Sequence, residues 1–296
     1  MDEHWDCLII GAGPAGLTAA IYLGRFLRRV AVLHNGSSRA ALIPTSHNFP
    51  GFSDGISGLD LLKDLRRQAS IYGAVIEEGD VKEIRQQDGA FSAVTSSSVV
   101  TARRLILATG ILDSNPEIAG LRGSVFDGQV RYCPICDGYE AMDKTIAVLG
   151  PIRSAMRKAL FLRTYSSHVA VVTPDTPTAE QQTALGDAGI ALHCGHVADI
   201  HRGKALTITL AGGRPMSFDT LYPAMGCNIR ARLATDLGAD TDESGALKVD
   251  AHQQTSVKGL YAVGDVVSCL DQMSVGIGHA AIAATAVHNE LPARFR

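Results

Sequence analysis

Apolar positions in this chain come in short unbroken runs, set apart by glycine-bearing turns. Cys7-Leu8-Ile9-Ile10 is such a run, and its uninterrupted apolar character predicts a strand buried on both faces. Leu17-Thr18-Ala19-Ala20-Ile21-Tyr22-Leu23 predicts a helix, and Val30-Ala31-Val32-Leu33 a second buried strand. Leu59, Leu61, Leu62, Leu65 and Ala69 recur at helical spacing, so 59–72 is expected to be a scaffold helix. Residues 75–100 alternate instead around the turn pair Asp88-Gly89, which predicts a small antiparallel ribbon. Arg104-Leu105-Ile106-Leu107 is a further buried strand ending in the small-residue turn Ala108-Thr109-Gly110.

The same order then starts again. Thr145-Ile146-Ala147-Val148-Leu149 reads as strand, 154–163 as helix and His168-Val169-Ala170-Val171-Val172 as strand. A repeated β-α-β order predicts an α/β protein with a second nucleotide-type domain inserted into the first. Residues 205–226 are strand-rich and return the chain to the first domain near Ala224-Met225-Gly226. Leu260-Tyr261-Ala262-Val263 then reads as strand and 277–290 as helix. The expected domains are 1–113 with 227–296, and the insert 114–226.

Composition narrows the function classes. With 46% apolar residues, a chain of 296 can build a proper core. A net charge of -3 and a pI near 6.4 leave no basic surplus, so neither nucleic acid nor an anionic membrane is an expected partner. No apolar run approaches the roughly 18 residues of a membrane span. Met1-Asp2-Glu3-His4-Trp5-Asp6 is acidic and lacks the pattern of a secretory signal. Together with scattered cysteines, this predicts a cytoplasmic protein.

Two of the six cysteines stand close, in Cys133-Pro134-Ile135-Cys136-Asp137-Gly138. A C-x-x-C pair can close into a disulfide ring and open again, storing two electrons, and local dipoles can lower one thiol from roughly 8.5 toward 7. Asp137 stands where a proton must be given or taken. A zinc half-site and a static disulfide are the competing readings. Zinc usually needs four grouped N or S ligands, whereas Cys7, Cys194, Cys227 and Cys269 are isolated from one another, so no metal is expected.

Gly11-Ala12-Gly13-Pro14-Ala15-Gly16 follows the first strand and opens the first helix. In that context G-x-G-x-x-G predicts a dinucleotide site, with small residues and amide dipoles receiving a pyrophosphate. Where an acidic ribose ligand is expected, the chain has His34-Asn35, which can bond a hydroxyl without a carboxylate's strength and also forms a turn signal with Gly36. Arg39 heads a polar loop, 43–52, in which His47 or Asn48 could reach a bound ring. Gly264-Asp265 ends the last strand, where its carboxylate could hold ribityl hydroxyls. Gln272 and Met273 precede the final helix, and His279 lies near that helix's start.

The insert's own turn is Gly150-Pro151-Ile152-Arg153-Ser154-Ala155, with only the first glycine kept. Pro151 has no N–H for a phosphate, and Ile152 places a branched side chain where the backbone must approach one. Losing one charge-assisted hydrogen bond costs about 1.5–3 kcal/mol, or roughly tenfold to a hundredfold in affinity. Thr173-Pro174-Asp175 offers no arginine pair for a 2'-phosphate, although Asp175 could accept from a ribose.

Gly11-x-Gly13-x-x-Gly16, Ala108-Thr109-Gly110, the C-x-x-C-D-G motif and Gly264-Asp265, in this order, resemble the low-molecular-weight thioredoxin reductases over nearly the whole chain. The resemblance implies a two-domain FAD/NAD-linked reductase fold, each domain a three-layer Rossmann-like unit. It also implies FAD bound by both chain ends, a homodimer, and rotation between two domain orientations. By position, Cys136 would face flavin C4a, Cys133 would attack a partner disulfide and Asp137 would be the acid/base. Asn48 and Gln272 would contact the isoalloxazine and Asp265 the ribityl chain. The insert's altered turn is similar to the branch not driven by NADPH: ferredoxin-dependent flavin thioredoxin reductases, diflavin-linked enzymes and dithiol oxidases of natural products. The expected function is FAD-dependent dithiol/disulfide exchange with a thioredoxin-like protein or a small-molecule dithiol or disulfide. The electron carrier could be ferredoxin or another, with NAD(P)H disfavoured. An NAD(P)H-dependent thioredoxin reductase and a flavin redox sensor without turnover are the alternatives.

Overall fold

The computed structural model describes residues 5–267 and 270–294. Met1 to His4 of the acidic N-terminus and Cys269 lie outside them. The described residues form two compact units. One comprises those up to Ala41, Ile56–Leu112 and those from Ile229 on; the other comprises Leu42–Gly55 and Asp113–Asn228. The loop Leu42–Gly55, which chain order assigns to the first unit, groups with the second.

The first unit opens with β1 (Trp5–Ile10), α1 (Pro14–Arg25) and β2 (Val30–His34), then α2 (Gly58–Ile71) and β3 (Val75–Glu78). Next come β4 (Glu83–Gln87), β5 (Ala90–Val94) and β6 (Val99–Leu107). The 75–100 stretch is therefore not one antiparallel ribbon, because β3 lies parallel to β2. A strand reached from its neighbour through a helix returns in the same direction, and α2 supplies that crossover. The predicted hairpin is the β4–β5 pair, with Asp88 and Gly89 both at positive φ, 51° and 77°.

Two crossing strands, β7 (Ile111–Asp113) and β15 (Cys227–Ile229), pair with each other. Between them lie α3 (Leu121–Phe126), α4 (Pro134–Asp137), β8 (Ile146–Leu149), α5 (Ile152–Leu162) and β9 (Val169–Thr173). These are followed by α6 (Ala179–Asp187), β10 (Ala191–Cys194), β11 (Val197–Arg202), β12 (Leu206–Leu210), β13 (Met216–Phe218) and β14 (Thr220–Pro223). After β15 the chain adds α7 (Arg232–Thr235), β16 (Leu260–Ala262) and α8 (Met273–Glu290). The final helix begins four residues before the expected start at 277, so Met273 lies within it.

In the first unit, seven strands among the described residues form one sheet. The far edge of β6 is shared: Val99–Ala102 pair with β5, and Leu105–Leu107 with β16. One face of the sheet is covered by α1, α2 and α8. Gly276, Ala280, Ala283, Ala284 and Val287 form the buried stripe of α8, at spacings that keep one helical face inward. They are small, which lets α8 lie close on α1. Arg28, itself buried, donates to the carbonyls of His288 and Pro292 and to His288 Nδ1, satisfying acceptors at the end of α8.

In the second unit, four strands in the order β10-β9-β8-β14 are parallel. Helices α5 and α6 cover one face, and the antiparallel sheet β11-β12-β13 covers the other. Both units are thus layered α/β folds, around a mixed sheet in the first unit and a parallel sheet in the second.

Candidate active site

The turn after β1 packs against the end of β6. Gly11 has φ 113°, and a β-carbon on it would stand 2.2 Å from the Ala108 carbonyl oxygen. One on Gly16 would stand 2.0 Å from the Gly11 oxygen. Both glycines are therefore demanded by the chain's own contacts. Gly13 is different. Its φ of -78° suits any residue, and a β-carbon would meet only Ser38 Oγ, at 3.5 Å. The space beside Gly13 is a cradle that a side chain would fill, as the second glycine of a pyrophosphate-binding turn requires. Helix α1 begins at Pro14 with no side-chain cap and no acidic residue in its first turn, so its opening N–H groups suit an anion.

Other expected residues gather around this turn. A methyl on Gly264 would stand 3.1 Å from Ala15 Cβ, and one on Gly276 would stand 3.2 Å from Gly264 Cα. The Gly-Asp turn, the start of α1 and the start of α8 thus meet, with Gln272 as the N-cap residue and Met273 as the first residue of α8. Asp265 pairs with Arg39, Oδ2 to Nη1 at 3.3 Å. Thr109 Oγ1 donates to the Arg230 carbonyl, and Arg230 N–H donates to that of Gly110, which fastens the Ala108-Thr109-Gly110 turn. His34 Nδ1 accepts from Gly36 N–H, so its proton resides on Nε2 and the ring can donate to a hydroxyl. Burial, with the Arg66 charge behind it, lowers the His34 pKa and favours that neutral form. Asn35 Oδ1 is engaged by Ser37, N–H and hydroxyl both donating. His279 Nδ1 is buried without a hydrogen-bond partner among the described residues. These features fit FAD. Asn48, which accepts from Ser46 Oγ, lies in the loop that groups with the second unit.

In the second unit, Cys133 and Cys136 form a disulfide, with Cα atoms 5.2 Å apart. Cys133 is the N-cap residue of α4, Pro134 is the first helical residue, and the Cys136 N–H points at Cys133 Sγ, 3.1 Å away. A developing charge on that sulfur therefore meets a donor. Gly138 has no room for a side chain: a β-carbon would stand 2.5 Å from the Pro134 oxygen and 2.7 Å from the Tyr165 ring.

Asp137 is held on both oxygens. Tyr222 Oη donates to Oδ1 at 3.0 Å, and Arg131 Nη1 stands 3.3 Å from Oδ2. Burial raises its pKa, against the opposing effects of Arg131 and Tyr222. Neither partner is apparent from sequence. Tyr222 lies 85 residues away in a strand that reads as core. Arg131 has no local signal at all.

The insert repeats the frame of the first turn. A β-carbon on Gly150 would stand 2.5 Å from the Ala224 oxygen, as Gly11 meets Ala108, and Ala224-Met225-Gly226 mirrors Ala108-Thr109-Gly110. The helix start differs. Pro151 is the N-cap residue, Ile152 is buried, and its N–H donates to Asp175 Oδ2 at 2.8 Å. Among the described residues no cluster of three or more metal-ligating side chains occurs, and no helix is long and apolar enough to cross a membrane.

Comparison with known proteins agrees with this arrangement. Residues 5–286 match the pyridine nucleotide-disulphide oxidoreductase family. The thioredoxin reductase of Streptomyces clavuligerus is 34% identical over 286 residues, covering 90% of this chain and 87% of the relative. The crystal structure of thioredoxin reductase from Streptococcus pyogenes MGAS5005 has a TM-score of 0.90 at 27% identity, covering 98% of each chain. That of HlmI has a TM-score of 0.89 at 30% identity, covering 98% of this chain and 93% of its own. The chain therefore belongs to the pyridine nucleotide-disulphide oxidoreductase family and, within it, to the low-molecular-weight thioredoxin reductase-like, FAD-dependent disulfide oxidoreductases.

Proposed function

We propose that this protein passes two electrons between FAD, the Cys133-Cys136 pair and a thioredoxin-like protein or small dithiol or disulfide, and that NAD(P)H is not its electron source. The observation carrying the second half is the Asp175 carboxylate on the Ile152 N–H. An incoming pyrophosphate would have to displace a like-charged group already bonded there, next to a proline with no N–H to add. Ferredoxin or another carrier, or the dithiol substrate itself, is then the reductant.

Bound FAD supplies the two-electron reservoir. Gly11, Gly13, Pro14, Ala15 and Gly16 would hold its pyrophosphate, His34 and Asn35 its ribose, and Asp265, braced by Arg39, its ribityl chain. Asn48, Gln272 and Met273 are assigned to the ring, and Ala108-Thr109-Gly110 to the close backbone approach. In the dithiol state, the Cys133 thiolate attacks the partner disulfide and one partner sulfur leaves with the electron pair. Cys136 then attacks Cys133, closing the ring and releasing the second partner sulfur. Asp137 supplies or takes the accompanying proton. The protein works as a homodimer in the cytoplasm.

Anaerobic mixing of the purified flavoprotein with NADPH, NADH, reduced ferredoxin and dithiols, followed by flavin absorbance, tests this reading. Bleaching by dithiol or ferredoxin but not by either nicotinamide is expected. Prompt bleaching by NADPH would overturn the assignment of electron source. A protein that stays colourless after reconstitution would overturn the whole.

A further inference from the structure

The Asp137 carboxyl is gripped by two side chains from different parts of the second unit, and their arrangement is specific. Residues 129–131 run alongside β14: Leu221 N–H donates to the Gln129 carbonyl, and Arg131 N–H donates to that of Leu221. This places Arg131 and Tyr222 side by side beneath α4. Lys158 of α5 ties the two segments together, its Nζ donating to the carbonyls of Tyr132 and Pro223, the residues following each of them. The Tyr222 hydroxyl stands within reach of two acceptors on the same residue, Asp137 Oδ1 at 3.0 Å and the Asp137 main-chain oxygen at 3.2 Å. Buried hydroxyls rotate to suit the acceptor available.

We propose that Arg131 and Tyr222 are positioning residues that hold Asp137 in place through both of its protonation states, so that it can give up and regain a proton without heavy-atom movement. This rests on the reading of Asp137 as the proton carrier of the dithiol. When the carboxyl is ionised, the Tyr222 hydroxyl donates to Oδ1 and the guanidinium faces Oδ2. When Oδ1 carries the proton, the hydroxyl turns its hydrogen to the main-chain oxygen, and the carboxyl O–H donates to the phenol oxygen. In the reductive direction the Cys136 sulfur attacks Cys133 Sγ, so that the Cys133–Cys136 bond forms as the Cys133–partner S–S bond breaks and the electron pair leaves on the partner's sulfur. The acid form of Asp137 gives that sulfur its proton, and the dithiol, oxidised to the disulfide, is the electron donor. The resulting carboxylate is the form that Arg131 stabilises.

Among the described residues, three groups act on the charge of Asp137. Arg131 and Tyr222 favour the anion through charge and hydrogen bonding, and Glu140, on the turn after α4, opposes it as a like charge. Lys158, on the helix packed against α4, is bonded to main-chain carbonyls. Removing either Arg131 or the Tyr222 hydroxyl therefore moves the titration of Asp137 upward.

The test uses the reduced full-length flavoprotein and the rate of thiol alkylation by iodoacetamide as a function of pH. Wild-type protein is expected to show two inflections, and Asp137→Asn to lose the lower one. Tyr222→Phe and Arg131→Gln should each shift the lower inflection upward by about one pH unit, the usual size of losing a close opposite charge or charge-assisted donor. Arg131→Lys should restore it toward wild type. Flavin content and thermal midpoint, read in parallel, identify a variant that has failed to fold; the Arg131→Gln and Arg131→Lys pair then decides alone. Profiles of the folded Tyr222 and Arg131 variants that superimpose on wild type would overturn the proposal. An Asp137→Asn profile that keeps the lower inflection would overturn both it and the proton-carrier role, leaving the flavin-bleaching experiment to judge the oxidoreductase reading independently.

Discussion

Gly13 and Gly16 belong to one turn, yet only Gly16 is demanded by the protein itself. A methyl group at Gly16 would overlap the Gly11 oxygen, whereas at Gly13 it would face open space bounded by Ser38. Gly16→Ala is expected to destabilise the flavin-free protein by about 1–3 kcal/mol or more, as overpacking does. Gly13→Ala should leave the flavin-free protein within about 0.5 kcal/mol of wild type, yet weaken FAD binding by roughly tenfold or more. Denaturant melts of the deflavinated variants and flavin titration separate the two. Equal loss of stability in both would mean that Gly13 has no ligand role. At this scale the sequence is legible where chemistry is local: the glycine turn and the C-x-x-C pair each declare themselves within six residues. Arg131 and Tyr222 could not be read. Their role comes from a pairing between residues 129–131 and β14 that no local pattern encodes.

Among the elements, α1 and α5 make the clearest comparison. Both follow a buried parallel strand and a glycine at positive φ, and both abut an Ala-x-Gly turn. The α1 start is uncapped, while that of α5 is occupied by Asp175. Asp175→Ala should cost about 1 kcal/mol, the usual loss for a helix-start hydrogen bond. It should still give no flavin bleaching with NADPH, because Pro151 and Ile152 remain. If that one change admitted NADPH, the altered turn would be irrelevant and Asp175 alone would be the barrier. The altered turn was readable from the chain, since proline and isoleucine have fixed consequences for backbone donors and close approach. The hydrogen bond that fills the helix start was not, and neither was the parallel placement of β3. Alternation identified residues 75–78 as strand without saying which neighbour would take them.

Over the whole molecule, the histidines of the first unit whose pKa values are lowered and Asp137 of the second carry opposite pH responses. His34, His279 and His288, all in the first unit, have pKa values lowered chiefly by burial. A histidine with a depressed folded value contributes stability that is full above the ordinary 6.5 and is lost as pH falls through the lower folded value. For His288 the reason is visible, because Nδ1 accepts from Arg28 Nε and a protonated ring cannot. Asp137, in the second unit, is raised by burial. Its contribution is fully present below the ordinary 3.8 and is lost as pH rises through the folded value. On acidification from pH 6.5 to 4.5, amide hydrogen exchange of the deflavinated protein, corrected for intrinsic rates, should show protection falling in the first unit and holding in the second. Uniform loss across both would show that these groups do not govern the response. The two-unit layout itself was legible, because the β-α-β order occurs twice. The grouping of Leu42–Gly55 with the second unit depends on long-range packing and left no trace in that order.

The shared edge of β6 has a consequence for biosynthesis. Its upstream half is paired by β5, which emerges from the ribosome just before it, but its downstream half is paired by β16, which emerges only after the entire insert. While the insert is being made, Leu105, Ile106 and Leu107 have no strand on that side, and α1 lacks the helix that covers it. Most of the dithiol-bearing second unit is complete as nascent chain while the first unit is still open. A flavin held by both chain ends, as proposed above, would therefore be captured late, only when the last helix has been released.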